Sequence, residues 1–483
     1  MINSAVFNNR TYYAFATIAL CFFIGKSIAA VPTSVPLMAV AGAVLFFIGF
    51  VNTNLAVMLL IGAMLLSPEF SVAKIPGRDV VLRIEDLLIV IFTVSWLMRL
   101  ALVKKSGFIV RTPLNRNILF FSIVFILVTL RGMLLEYVNP LKGTFFALKY
   151  LQYFMFYFFA CSVLQSKNQV RLYIKAFLIT YIVVSFYAMS QIGFQGRVSA
   201  PFEGEGEPNT LGGYLVLLQA IILGMTVHLK MHKHRVILGA LFFLSLLPFV
   251  FTFSRASYLA FLPMYFVVVF FNRTRKRNIL IGALIVTVVL GVFFFPQNVK
   301  NRLAHTFIPE ATIDAPPQSL LGIQFGPSAS ARMFSWKIMT GRWKQSPFLG
   351  YGVTGQGFID GQYIRTLVEM GAVGMIAFIL LLVALYKNTL RIYKTSKDDL
   401  YKGLSLGFLA GHVGLMVHAI STNTFILIRI MEPYWFLAGM VMTIPKIEQM
   451  EMPKFEGVKE KTKKVFRNTD RLLSGTRVKL KTQ

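Results

Sequence analysis

Charge is what this sequence has least of. Charged side chains make up 14% of its 483 residues, against 56% hydrophobic, and that balance excludes an ordinary water-soluble domain. Acidic residues are the scarcer half: 20 Asp and Glu stand against 49 Lys and Arg, for a formal net charge of +29. Cysteine is nearly missing. Cys21 and Cys161 both lie inside apolar runs, so no disulfide framework is implied and both read as buried, inert thiols. Nothing outside the apolar runs is long enough for a soluble enzyme domain of ordinary size. The segment Gly350-Tyr-Gly-Val-Thr-Gly-Gln-Gly357 is dense in glycine, but no Lys-Ser/Thr pair or strand–helix context surrounds it, which argues against a nucleotide phosphate loop. It suits close approach of the backbone to a ligand or a second helix.

What the chain does have is a succession of apolar runs with the length of a transmembrane helix, about 17–25 residues. About fourteen are read: 11–30, 36–50, 53–67, 85–103, 117–135, 145–164, 172–192, 209–229, 236–252, 255–271, 279–295, 363–386, 403–420 and 426–444. The expected fold is an all-α polytopic membrane protein. The first run resembles a signal peptide but reads as a retained helix, because later segments then alternate sides without conflict. The second and third are short and also read as one re-entrant pair. Basic loops set the orientation: Lys104 to Arg116, Lys167 to Lys175, Lys230 to Arg235, Arg273 to Arg277 and Lys387 to Lys402 are expected in the cytoplasm, with both termini. Helices one to eleven then occupy 1–295, a long outer loop 296–362, helices twelve to fourteen 363–444, and a basic cytoplasmic tail 445–483. Such a tail suits anionic lipid headgroups; no nucleic-acid partner is expected.

A second set of arginines breaks the positive-inside pattern. Arg197, Arg255, Arg332, Arg342, Arg365 and Arg429 all map to the outer face, at or near helix ends. Arginine near a bilayer is costly, and its fork of fixed donors suits phosphate oxygens better than a lysine point charge does. A phosphorylated ligand at the outer surface is the expectation. The competing reading is that these side chains reach for headgroups or pair with Glu203, Glu205 and Glu207; Arg429 and Arg131 fit either role. In the long loop, Arg332, Trp336, Met339 and Trp343 share one helical face, which suits a helix lying in the headgroup layer.

Four strings then carry a family resemblance. Gly196-Arg-Val-Ser-Ala-Pro-Phe through Pro208-Asn-Thr-Leu-Gly, Thr252-Phe-Ser-Arg-Ala-Ser-Tyr-Leu259, Arg332-x-x-x-Trp336 with Ser346-Pro-Phe-Leu-Gly-Tyr-Gly352, and Asp360-Gly-Gln-Tyr-Ile-Arg through Gly374 resemble, in this order, segments of bacterial O-antigen ligases and O-antigen polymerases. They cover roughly 190–380; elsewhere the likeness is in hydropathy alone. The resemblance implies GT-C-type architecture with one long periplasmic loop, and an inverting glycosyltransferase that moves glycan from a polyprenyl-diphosphate carrier to an acceptor hydroxyl on the outer face of the inner membrane. Arg197, Arg255 and Arg332 are then expected to hold the departing diphosphate, with Arg342 and Arg365 next in order.

An acceptor hydroxyl needs a base. Ligases commonly place a histidine before an asparagine where this chain has Asp360 and Gly361. The aspartate resembles many polymerases, so Asp360 is the first candidate and polymerase the favoured activity. His305 and His418 are the alternatives, each also readable as structural. Glu369 sits one turn after Arg365 and is placed to orient it. His228, His232 and His234 read as a solvated loop, and Glu203 to Glu207 as a flexible acidic loop rather than a cation site. Metal-independent chemistry without a cofactor is expected. Expected partners are the lipid-linked glycan, membrane lipids and other membrane proteins of polysaccharide assembly. A ligase passing finished glycan to lipid A-core or protein, and a transporter of lipid-linked glycan, stay open.

Overall fold

The computed structural model describes residues 34–73, 80–103, 110–194, 196–202, 207–272, 276–294, 297–305, 318–320, 323–357 and 359–451. The first expected helix (11–30), Glu203 and Glu205, and the tail beyond 451 lie outside them. In chain order the elements are α1 Ser34–Val51, α2 Thr53–Leu66, strands β1 Glu69–Ala73 and β2 Val80–Arg83, α3 Ile84–Val103, α4 Asn115–Leu134, α5 Pro140–Val163, α6 Lys167–Ser190, α7 Pro208–His228, α8 His232–Phe251, α9 Arg255–Phe271 and α10 Lys276–Phe294. There follow α11 Gln297–Ala304, the two-residue strands β3 Ser319–Leu320 and β4 Ile323–Gln324, α12 Pro327–Trp343, α13 Gln362–Thr395, α14 Asp399–His418, a 3₁₀ turn Thr424–Ile426, and α15, 428–451. Each of the two strand pairs is antiparallel, β1 opposing Glu69 to Arg83 and β3 opposing Ser319 to Gln324.

Each apolar run after the first coincides with a helix. Among the described residues, seven helices (α4 to α8, α13 and α14) are long and apolar enough to cross a membrane, and the protein is a multi-pass membrane protein. Their starts are written in the sequence. Asn139 accepts from Leu141 N and Lys142 N with Pro140 in the first turn, Ser166 caps α6, Ser254 caps α9 and Asp398 caps α14, each supplying an acceptor for otherwise unpaired helix N–H groups.

The chain divides into two compact units. The smaller comprises the described residues 34–59 and 87–103; within it Ser95 Oγ donates to Phe46 O at 3.0 Å and Arg99 Nη1 to Thr53 Oγ1 at 2.9 Å. The larger, the described residues between 60 and 86 and between 110 and 451, is built around α7 and α14. In their most apolar stretches, 94% of α7 and 78% of α14 is buried, so these two form its centre. They touch backbone to backbone. A Cβ on Gly224 would sit 2.4 Å from Gly407 N and 2.5 Å from Gly403 O, the close approach that small residues spaced by four permit between helices in lipid. Gly407→Leu is therefore expected to destabilise the bundle by at least the roughly 1–3 kcal/mol of an overpacked core, read as a lowered melting temperature in detergent; an unchanged melting curve would contradict this packing.

The run read as one span at 363–386 is broken. Gly371 has φ 66° and ψ −169° inside α13, dividing it into a short half, 362–370, and a long one. A break of this kind frees backbone groups that lipid cannot satisfy. The segment after α12 satisfies them: Tyr351 N donates to Val368 O at 3.1 Å and Gly352 N to Glu369 O at 2.8 Å, while Ala372 N donates to Pro347 O at 2.8 Å and Val373 N to Phe348 O at 3.2 Å. A Cβ at Gly371 would lie 2.2 Å from Phe348 O, so glycine is required twice over, by its φ and by the contact. Arg131 Nη1 ties the same segment down through Gly350 O at 2.9 Å.

The Trp face expected in the headgroup layer is turned to the protein. Met339 and Trp343 pack on the buried Tyr351, Ile359 and Val368. Both indoles donate to the chain itself, Trp336 Nε1 to Asp360 O at 2.7 Å and Trp343 Nε1 to Pro347 O at 3.0 Å.

Candidate functional site

The short turn between α8 and α9 is the organising element. Phe253 adopts φ 49°, a left-handed conformation that a bulky residue rarely takes. Arg197 binds two carbonyls of that turn: Nε donates to Thr252 O at 3.1 Å and Nη2 to Phe253 O at 3.4 Å. Val198 N adds a bond to Phe251 O at 3.2 Å. The loop is held at its other side by Gln191, which donates to Ser199 O at 3.0 Å and accepts from Ser199 N at 2.9 Å. Arg255 is the first residue of α9, half-buried, on the same turn. A helix start collects N–H groups and a partial positive charge, so guanidinium and helix end add at one place.

Beneath Arg255 runs a buried polar relay. Ser254 Oγ donates to Asn209 Oδ1 at 2.7 Å and lies 2.7 Å from Ser257 Oγ. Ser257 Oγ is 3.1 Å from His418 Nε2, and His418 Nδ1 is 2.8 Å from Thr424 Oγ1. His418 is fully buried, with both ring nitrogens engaged. It joins the start of α9 to the end of α14.

The segment leading into α13 rests on that same end of α14. Gln362 N donates to Ala419 O at 3.0 Å, Asn423 Nδ2 to Ile359 O at 2.7 Å, and Phe425 N to Gln362 Oε1 at 3.1 Å. Gly361, at φ 93°, has Ile420 O only 2.8 Å from where a Cβ would stand. Asp360 is thereby fixed beside α12, and its Oδ2 accepts from Arg332 Nε at 3.1 Å. Its carboxylate is one-third exposed, at 33%, and Oδ1 makes no further hydrogen bond among the described residues. Arg197, His418, Asp360 and Arg332 are thus linked through the α8–α9 turn, the end of α14 and the segment leading into α13, with Arg255 on the turn that Arg197 binds.

Other candidates sit apart from it. Arg365 is buried inside α13, Nε donating to Glu369 Oε1 at 3.1 Å, and Glu369 also accepts from Thr354 N at 2.9 Å; this pair braces the short half-helix. Arg342 is exposed and bonds Gln356. His305 caps nothing but its own turn, its N donating to Asn301 O at 2.8 Å, and among the described residues it joins none of the others. Arg429 is 1% exposed and binds backbone: Leu65 O at 2.7 Å, Pro201 O, and Phe202 O at 3.2 Å. It gathers the end of α2 and the 196–202 loop, a cation at a helix C-terminus.

Residues 240–379 match the O-antigen ligase family model. No curated protein matches the chain. The match supports the resemblance to O-antigen ligases and polymerases that three of the four motifs inside it carry, those at 252–259, 332–352 and 360–374, and with it an enzyme of O-antigen ligase or polymerase type. The matched stretch takes in the Phe253 turn, Arg255, the polar end of α9, α12, Asp360 and the broken start of α13. Arg197 and His418 lie outside it and reach the site through the contacts above.

One cluster escaped the sequence. Glu85, Asp86 and Glu432 are buried and place carboxylate oxygens within 4.8 Å of one another, the one group of His, Cys, Asp and Glu among the described residues able to hold a metal ion. Cations of the chain already stand there. Lys149 pairs with Asp86, Arg83 with Glu69 and Glu85, and Gln152 bridges Asp86 at 2.6 Å and Glu432 at 2.9 Å. Glu85 and Glu432 lie 347 positions apart, so no local spacing announces them; only the rarity of acidic residues in apolar runs points that way. Lys149→Met leaves Asp86 without its buried cation and is expected to destabilise by about 3–5 kcal/mol, whereas Lys149→Met with Asp86→Leu recovers much of the loss. Thermal unfolding of the detergent-solubilised variants checks both.

Proposed function

We propose that this protein is a glycan polymerase of the O-antigen and exopolysaccharide type. It transfers glycan from a polyprenyl-diphosphate donor to an acceptor sugar hydroxyl, with inversion at C1, on the periplasmic face of the inner membrane. The observation that carries the reading is that Arg197 and Arg255 share one turn at the start of α9, which His418 and the end of α14 link to the segment bearing Asp360 and its partner Arg332. The acceptor oxygen forms its bond to C1 as the bond from C1 to the diphosphate oxygen breaks. Negative charge grows on the departing diphosphate, and fixed cations with a helix N-terminus stabilise it. Arg255 and the N–H groups of α9 face that charge; Arg197 holds the turn in shape and adds its own. Asp360, with one carboxylate oxygen oriented by Arg332 and the other open, takes the acceptor proton. His418, engaged at both nitrogens, serves through the relay that sets Ser254 and hence the start of α9. Arg365 supports the half-helix that presents Asp360.

The chemistry needs no metal, since arginine supplies the charge a divalent ion otherwise brings. Arginines gathered at one end of the bundle favour an enzyme over a transporter, whose charges line a path near the midplane. The test is the purified protein with a synthetic polyprenyl-diphosphate oligosaccharide. Products lengthened by whole repeat units, unaffected by EDTA, support the proposal. Transfer only to lipid A-core or protein makes it a ligase, and passage of lipid-linked glycan across vesicles with no new glycosidic bond makes it a transporter.

A further inference from the structure

At the other end of α6, Lys167, Arg171 and Lys175 recur every fourth residue and so share one helical stripe. That stripe borders a half-open cavity of about 580 Å³, lined also by the end of α7, the start of α8 and Asp398 to Leu400. A volume in this range is that of a small-molecule site, about 300–1,000 Å³. The lining is of two kinds. Ile174, Leu178, Met225 and Leu238 make an apolar wall running into the bundle, while charged groups ring the mouth. Two of the mouth cations are matched, Lys167 by Asp398 and Lys230 by Asp399 at 3.1 Å. Arg171 and Lys175 are exposed and form no ion pair among the described residues; the hydrogen bond of Arg171 goes to Asn168 Oδ1 at 3.5 Å. The cavity therefore has two surplus positive charges at its rim and hydrocarbon behind them.

The geometry points to a bound anionic phospholipid: its phosphate sits between Arg171 and Lys175, and the upper part of an acyl chain lies along Ile174, Leu178 and Leu238. A free anion leaves the apolar wall bare, and a zwitterionic lipid brings a choline toward like charge. Basic pockets between membrane helices take such headgroups. The 24 residues of α6 span about 36 Å at 1.5 Å per residue, and Arg197 follows its far end. This site is separate from the one at the start of α9, and the inference does not depend on the activity proposed there.

The experiment uses the full chain in neutral detergent, followed by native mass spectrometry and thermal unfolding, titrated in turn with phosphatidylglycerol, phosphatidylcholine, inorganic phosphate and undecaprenyl phosphate. Phosphatidylglycerol is expected to be retained and to raise the melting temperature, phosphatidylcholine to do neither. Arg171→Gln with Lys175→Gln is expected to weaken phosphatidylglycerol retention at least tenfold while leaving lipid-free melting unchanged. The basic tail is common to both proteins, so lipid held there cancels in the comparison. Equal retention of both phospholipids by the wild type overturns the proposal even if the variant fails to fold. So does undiminished retention by a folded variant, an equal shift from phosphate alone, or preferential displacement by undecaprenyl phosphate.

Discussion

Arg255→Ala is expected to lower the rate of glycan transfer by roughly 10²–10³-fold, the loss seen when one fixed donor to a developing anion is removed. The fall belongs in kcat more than in KM, because the diphosphate carries its additional charge only as the bond to C1 breaks. The side chain sits on the first residue of α9, whose cap is made by Ser254, so its removal leaves the helix start formed. Arg255→Lys keeps the charge but not the fork, and recovery is expected to be small. Activity within a few fold of wild type in Arg255→Ala would remove the proposed role. Arg197→Ala is a different perturbation. It strips the partner from Thr252 O and Phe253 O, so a loss of stability accompanies its loss of rate.

Asp360→Asn is the second large effect, roughly 10²–10⁴-fold in kcat, the range of a positioned general base. Asparagine keeps the shape and an acceptor for Arg332 Nε, and Trp336 bonds the backbone oxygen of this residue rather than its side chain. The fold is therefore retained and the change isolates proton transfer. His418→Asn supplies the contrast. That ring links Ser257 to Thr424 in a fully buried place, so its replacement is expected to lower the melting temperature as well as the rate. A folded, fully active Asp360→Asn protein, with activity lost only in His418→Asn, would transfer the base assignment to the histidine.

Much of the architecture was legible because lipid imposes a simple rule on sequence: length and apolarity suffice to locate spans. The Arg365–Glu369 pair was legible too, since i,i+4 spacing on a helix places such residues side by side. The break at Gly371 was not. Gly371-Ala-Val-Gly374 sits in an unbroken apolar run, and what marks the break is a φ value and a partner segment twenty residues earlier. The arginines were singled out by the side of the membrane expected for them, but their division of labour was hidden. Arg429 was left open between two roles in the sequence; the structure encloses it among carbonyls, whereas Arg255 begins a helix. The carboxylates near Lys149 were invisible because their contacts join the start of α3, the middle of α5 and the start of α15.

The interrupted α13 carries a consequence for how the protein is made. A half-helix whose carbonyls end in hydrocarbon is not a stable insertion product by itself. The groups that complete it, on Pro347, Phe348, Tyr351 and Gly352, leave the ribosome before residues 368–373 do. Translation order thus supplies the sealing strip, 347–352, ahead of the helix that needs it.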